Sequence, residues 1–151
     1  MKIKISVLIL TLALFVSCNV NRCDYYCDSG PITLKFEIVD KESGENLFTN
    51  GTYSSENLQV IDLNNNDNLV QFEFISENNL NQLLLGPFGF EVQEAKYAVL
   101  IHSETIFFIA LKTIEEKDTC CSTILLDEFS LNGAEFTQDE ATGVYKVLIE
   151  V

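Results

Sequence analysis

Five cysteines carry the most reactive chemistry in this chain: Cys18 at the end of an apolar leader, Cys23 and Cys27 shortly after it, and the adjacent pair Cys120 and Cys121. Once Cys18 is set apart with the leader, four remain, and an even set in an exported chain reads as two disulfides. Three pairings are open. A bond between neighbours Cys120 and Cys121 closes a strained eight-membered ring, so the reading favours each of them joined to one of Cys23 and Cys27. Loops of about 95 residues closed in this way contribute up to about 4 kcal/mol each in the chain-entropy account. A four-cysteine zinc site is the competing chemistry, but adjacent cysteines chelate a tetrahedral ion poorly and the usual spacing is C-x₂₋₄-C twice. Neighbours on a strand point to opposite faces, which predicts that Cys120 and Cys121 sit at a bulge, strand end or edge.

Other residues invite a chemical reading and give it up on their spacing. Asp62, Asn64, Asn66 and Asn68 fall at positions 1, 3, 5 and 7 of a calcium loop, with Glu73 at position 12. Position 6 of such a loop needs glycine for its sharp turn, and Asp67 stands there. A turn rich in Asn and Asp explains the same letters, so no metal is expected. His102 is the only histidine. A general base needs a nucleophile and an orienting carboxylate beside it, and no nucleophile motif frames Ser103 or Glu104. His102 is therefore read as a partly exposed strand-end residue. The acid pairs Glu115-Glu116 and Asp127-Glu128 could in principle serve glycoside hydrolysis, which uses two carboxylates at a set separation. Sequence neighbours on a strand face apart, so they read as a solvated acidic edge that guards against aggregation. Tyr25 and Tyr26 read as packing of the cystine-bound segment, or as ligand or membrane contacts. No phosphate-binding glycine loop is present. Neither an enzyme nor a cofactor is expected.

The leader sets the address. Lys2 and Lys4 precede an apolar run over residues 5–16, broken only by Ser6 and Thr11, and Ser17-Cys18 follows. A cationic start and an apolar stretch of about 7–15 residues form a secretory signal, too short for the roughly 20 residues that span a bilayer. The ending resembles the lipobox of bacterial lipoproteins, with Phe15 where that pattern prefers Leu. The resemblance implies that Cys18 is acylated (palmitate-type chains) and the chain cut before it. Residues 1–17 are then a signal peptide, residues 18–31 a lipidated tether and residues 32–151 the domain. Asn19 stands where an Asp marks inner-membrane retention in some lipoproteins, which points to the outer membrane and leaves open its periplasmic or surface side. Two or three acyl chains, each buried CH₂ contributing about 0.8 kcal/mol, hold firmly where one is marginal.

The elements that must position these residues read as almost all β. The 134 residues after position 17 hold all 23 acids but only seven of the nine Lys and Arg, a net charge of about −16. Phosphate backbones and anionic head groups repel such a chain, which excludes nucleic acid as a partner. Alternating or apolar runs predict strands over residues 32–39, 58–63, 69–76, 82–85, 88–92, 96–102, 105–113, 123–131 and 144–151. Residues 40–46 form a turn, 112–118 a charged turn or a single helical turn, and Asn132-Gly133 a tight turn. Short strands at this spacing argue an antiparallel β-sandwich of about seven to nine strands. The segment from Phe36 through Asp40 and Gly44 to Leu47 resembles the first hairpin of transthyretin-like domains, an immunoglobulin-like sandwich being the other form. Leader, early cysteines, β-domain and late vicinal pair together resemble small lipoproteins of Gram-negative envelopes. That resemblance implies a membrane-anchored, non-enzymatic module that binds or supports another envelope protein. The alternative is a carbohydrate- or small-ligand-binding module.

Overall fold

In each long strand, every second residue is apolar and every second side chain meets the same interior. The computed structural model, which describes Cys27 and residues 30–151, contains ten strands. They are β1 (Ile32–Asp40), β2 (Leu58–Asp62), β3 (Asn68–Leu69), β4 (Glu73–Ile75) and β5 (Gln82–Phe88), then β6 (Glu94–Ile101), β7 (Glu104–Lys117), β8 (Ser122–Asn132), β9 (Glu135–Gln138) and β10 (Val144–Ile149). Two five-stranded sheets form, in the orders β4-β5-β1-β10-β9 and β3-β2-β6-β7-β8. Leu34, Phe36 and Ile38 of β1, Leu83 and Leu85 of β5, and Tyr145 and Val147 of β10 face Val60 of β2, Tyr97 and Val99 of β6, and Phe107 and Ile109 of β7. Phe36, Val60, Val99, Phe107 and Val147 are fully buried. The fold is thus an all-β sandwich. Its pairings are antiparallel except that β1 and β10 run parallel, Lys35 beside Val144 through Asp40 beside Ile149.

One five-residue turn occurs twice. Asp40-Lys-Glu-Ser43-Gly44 follows β1, and Asp139-Glu-Ala-Thr142-Gly143 precedes β10. The Asp40 carboxylate accepts from the Ser43 backbone N–H and hydroxyl, both at 2.7 Å, and Gly44 donates to the Asp40 carbonyl at 2.8 Å. The Asp139 carboxylate accepts from Ala141 and Thr142 N–H at 2.9 and 3.1 Å, and Gly143 donates to the Asp139 carbonyl at 2.7 Å. Gly44 and Gly143 sit at φ 74° and 70°, a left-handed conformation that glycine adopts without steric cost. Beyond the first turn the chain returns against β1, Leu47 N–H bonding the Ile38 carbonyl at 2.9 Å, and Leu47 is fully buried. The Ser43 hydrogen bonds hold the Asp40 carboxyl below its ordinary range, and the Thr142 and Ala141 N–H groups do the same for Asp139.

Four expected elements are corrected. Residues 69–76 are not one strand: β3 ends at Leu69, the chain crosses between the sheets, and β4 starts at Glu73. Val70 and Phe72 still pack on the core, so the apolar alternation persists through a change of sheet. Residues 82–85 and 88–92 are not two strands, because β5 runs through Gly86-Pro87 to Phe88. The pairs Leu34–Leu85 and Ile32–Phe88 leave Gly86 and Pro87 opposite Thr33 alone, a bulge in which proline has no ladder bond to make. A Cβ on Gly86 would lie 2.7 Å from the Ile32 carbonyl oxygen, so only glycine fits that approach. Residues 112–118 are neither a charged turn nor a helical one: β7 continues to Lys117, paired with β8 to the end, because cross-strand partners outweigh local charge. Strand β9, all of it exposed, lacks the apolar alternation that marks its neighbours and was not expected. Asn132 and Gly133 do turn the chain, but into the other sheet rather than into a hairpin.

Two measurements check this register. Phe36→Ala lowers stability by about 3–5 kcal/mol in denaturant unfolding, whereas Lys35→Ala, its exposed neighbour, changes it by less than about 0.5 kcal/mol; equal effects would contradict the alternation. Because both turn carboxyls titrate below their unfolded value, near 3.8, their stabilisation is complete above that value and is lost as pH falls through the lower folded one. The stability difference between wild type and Asp40→Asn/Asp139→Asn is therefore largest near neutrality and shrinks on acidification below about pH 4; a difference that grows in acid contradicts the turn assignment.

Candidate functional site

Cys27, Cys120 and Cys121 meet where the chain enters the sandwich. The β7–β8 hairpin ends in residues 118–121, where the Asp118 carboxylate accepts from Cys120 and Cys121 N–H, both at 2.7 Å, and Asp118 N–H donates to the Cys121 carbonyl at 2.9 Å. This turn places the vicinal pair at a strand end, as the sequence predicts. Cys121 is bonded to Cys27 across 94 residues, with Cα atoms 5.6 Å apart. Cys120 is disulfide-bonded as well. Cys18, Cys23, Tyr25 and Tyr26 lie outside the described residues.

Around this end runs an apolar groove of about 450 Å³, lined by Pro31, Val70, Pro87, Phe88, Phe90 and Val92, with Phe90 exposed. Gly89 shapes it: at φ 126° its Cα comes so close to Ile124 of β8 that a Cβ would lie 2.4 Å from the isoleucine methyl. Gly89 N–H donates to the Val92 carbonyl at 2.9 Å, folding the loop toward β6.

The predicted calcium letters are scattered. Asp62 ends β2 and accepts from Asn64 N–H at 2.9 Å; Asn66 and Asp67 take left-handed φ of 52° and 57° in the turn, and Asn68 opens β3. Glu73 lies on β4 in the opposite sheet. Among the described residues no three His, Cys, Asp or Glu side chains gather as a metal site. His102 and Ser103, at φ 51° and 67°, form the two-residue turn between β6 and β7, with Ile101 opposite Glu104. Two positive φ values match the twist of the flanking strands, and both side chains are exposed.

The acid pairs behave differently from each other. Glu115 and Glu116 are exposed on β7. Glu115 accepts from the Ser122 hydroxyl and pairs with Lys117 at 3.0 Å, contacts that hold its carboxyl below the ordinary range, the serine bond first. Asp127 and Glu128 correct the expectation that strand neighbours face apart. Lys112 pairs with Glu128 while Thr113 pairs with Leu126, so Asp127 is the extra residue of a bulge. Both carboxylates then reach the same ammonium, Lys112 Nζ, at 3.7 and 3.9 Å.

The side of the sandwich bounded by β8 and β9 escaped the sequence reading. Phe129 of β8, Phe136 of β9 and Tyr145 of β10 touch there, with ring centroids 5.8 Å apart for Phe129–Phe136 and 4.5 Å for Phe129–Tyr145. Phe136 remains 38% exposed. Phe129 keeps the alternation of Leu131, a signal that could have been read; Phe136 lies in a strand with no apolar pattern.

Comparison of the chain with models of known families, with characterised proteins and with solved structures finds no match.

The staple generates a stability prediction. Replacing Cys27 and Cys121 together by serine lowers stability by up to about 4 kcal/mol in non-reducing denaturation, as loop-closure entropy returns to the unfolded chain. Unchanged stability would show that the bond does not constrain the unfolded chain.

Proposed function

We propose that this chain is a lipid-anchored lipoprotein of the cell envelope, held through Cys18, whose β-sandwich binds or supports another envelope protein without catalysis. The leader chemistry and the Cys27–Cys121 staple carry this reading together. Nine residue steps separate Cys18 from Cys27, a reach of at most about 31 Å. If Cys23 takes the other cystine, five steps remain, about 17 Å. A short leash keeps the sandwich near the bilayer, within reach of membrane-embedded partners. A net charge near −16 repels anionic head groups, so the lipid rather than a face of the domain makes the membrane contact. The outer membrane is the favoured location, from Asn19.

The second reading, a carbohydrate- or small-ligand-binding module, is favoured by the groove beside Phe88 and Phe90. It requires an exposed aromatic platform, and Phe90 is the one exposed ring there.

Intact-mass analysis of the membrane fraction tests the anchor. The mature chain begins at Cys18 and carries the mass of its acyl chains, and Cys18→Ser shifts the protein out of the membrane fraction. Membrane partition and mass that survive Cys18→Ser apart from the substituted atom contradict the reading.

A further inference from the structure

Each sheet has two edges, and three of the four are short: β3 has two residues, β4 three and β9 four. The fourth, β8, has eleven. A long unpaired edge presents a row of backbone N–H and C=O groups that another strand can match. Among the described residues no strand pairs with the outer side of β8. Strand addition to such an edge is a common way of binding extended segments, with the backbone supplying affinity and alternate side chains specificity.

The chemistry around β8 says what kind of strand fits. On its inner side the edge is floored by Leu126 and Phe129, with part-exposed Phe136 and buried Tyr145 behind them, so alternate side chains of an added strand meet apolar surface. On the hairpin's other face stand Asp127, Glu128 and Glu116 against Lys112, two more acids than bases. A second copy of this chain is a poor occupant, because antiparallel pairing of two β8 edges about their middle sets Asp127 against its own copy, and like charges placed opposite destabilise a pair. The bulge at Asp127 divides the edge into two regular stretches, residues 122–126 and 128–132, which further disfavours long self-pairing while leaving each half open.

The geometry points to β8 as the docking edge for an extended segment of a partner protein in which cationic and apolar side chains alternate. This deepens the docking function proposed above and rests on it. The strand's first half lies beside the Cys27–Cys121 staple, so an arriving segment meets the sandwich at its tethered end.

The test uses the lipidated protein in a zwitterionic detergent and three ten-residue peptides: alternating lysine and valine, the same peptide N-methylated at alternate backbone positions, and alternating glutamate and valine. The lysine peptide slows amide exchange of residues 122–132 several-fold and leaves residues 82–88 unchanged. N-methylation removes donors without altering charge and abolishes the protection, and the glutamate peptide gives none. Asp127→Lys/Glu128→Lys, with its circular dichroism unchanged, weakens the lysine peptide about tenfold, or about 1.4 kcal/mol. Protection that survives N-methylation, or that appears on another strand, overturns the inference. Photo-crosslinkers at Leu125, Phe108 and Lys35 in intact cells separate the two possible failures. Crosslinks from Phe108 or Lys35 alone remove β8 as the edge but keep the docking function, and no crosslink from any of the three removes both.

Discussion

The cystine between Cys27 and Cys121 ties the entrance of the chain to a hairpin tip 94 residues later. Its two ends belong to different layers. Strand β1 begins at Ile32, five residues after Cys27, and lies at the centre of one sheet; Cys121 immediately precedes β8, on the edge of the other. The covalent link therefore fixes one sheet against the other at the end where the N-terminal segment arrives. Asp118 prepares the tip for this, since one carboxylate oxygen accepts from both Cys120 and Cys121 N–H groups. The interior then completes what the link begins: Phe36 stacks on Tyr145 within its own sheet and meets Phe107 across the layer, with centroids 5.5 and 6.1 Å apart.

At the opposite end of β1 the constraint is electrostatic. Lys41, just beyond the strand, pairs with Glu135 of β9 and with Glu150, which follows β10, at 3.0 and 2.9 Å. The two carboxylates raise the lysine's proton affinity, and Lys41 holds Glu150 below its ordinary range. All three side chains are solvent-exposed, so these pairs contribute modestly and weaken with salt. They secure β9, the short strand that carries Phe136, at the edge of its sheet. The two ends of β1 thus differ in kind, a covalent link at one and a screened ion-pair network at the other.

Much of this was legible in the residues. Period-two alternation in residues 32–39, 105–113 and 144–151 marks the core strands, because a sheet with one buried face admits no other pattern. The cysteine arithmetic pointed to a link from the early pair to the late pair, since neighbouring cysteines cannot comfortably bond each other. What was hidden depends on partners distant in sequence. The crossing at residues 70–72 keeps its apolar alternation while changing sheet, so periodicity alone shows one strand. The polar end of β7 is a strand only because β8 pairs with it. Asp127 and Glu128 share Lys112 only because a bulge, invisible in composition, adds a residue to one side of the ladder.

The account stands or falls on how the early cysteines are joined to the late ones, since that link ties the N-terminal segment to the tip of the β7–β8 hairpin and, in the lipoprotein proposed above, would also shorten the tether. Non-reducing peptide mapping of the protein measures it directly. The account predicts a fragment joining Cys27 to Cys121 and a second joining Cys23 to Cys120. Cys23 bonded to Cys27 with Cys120 bonded to Cys121, or four free thiols, would contradict it.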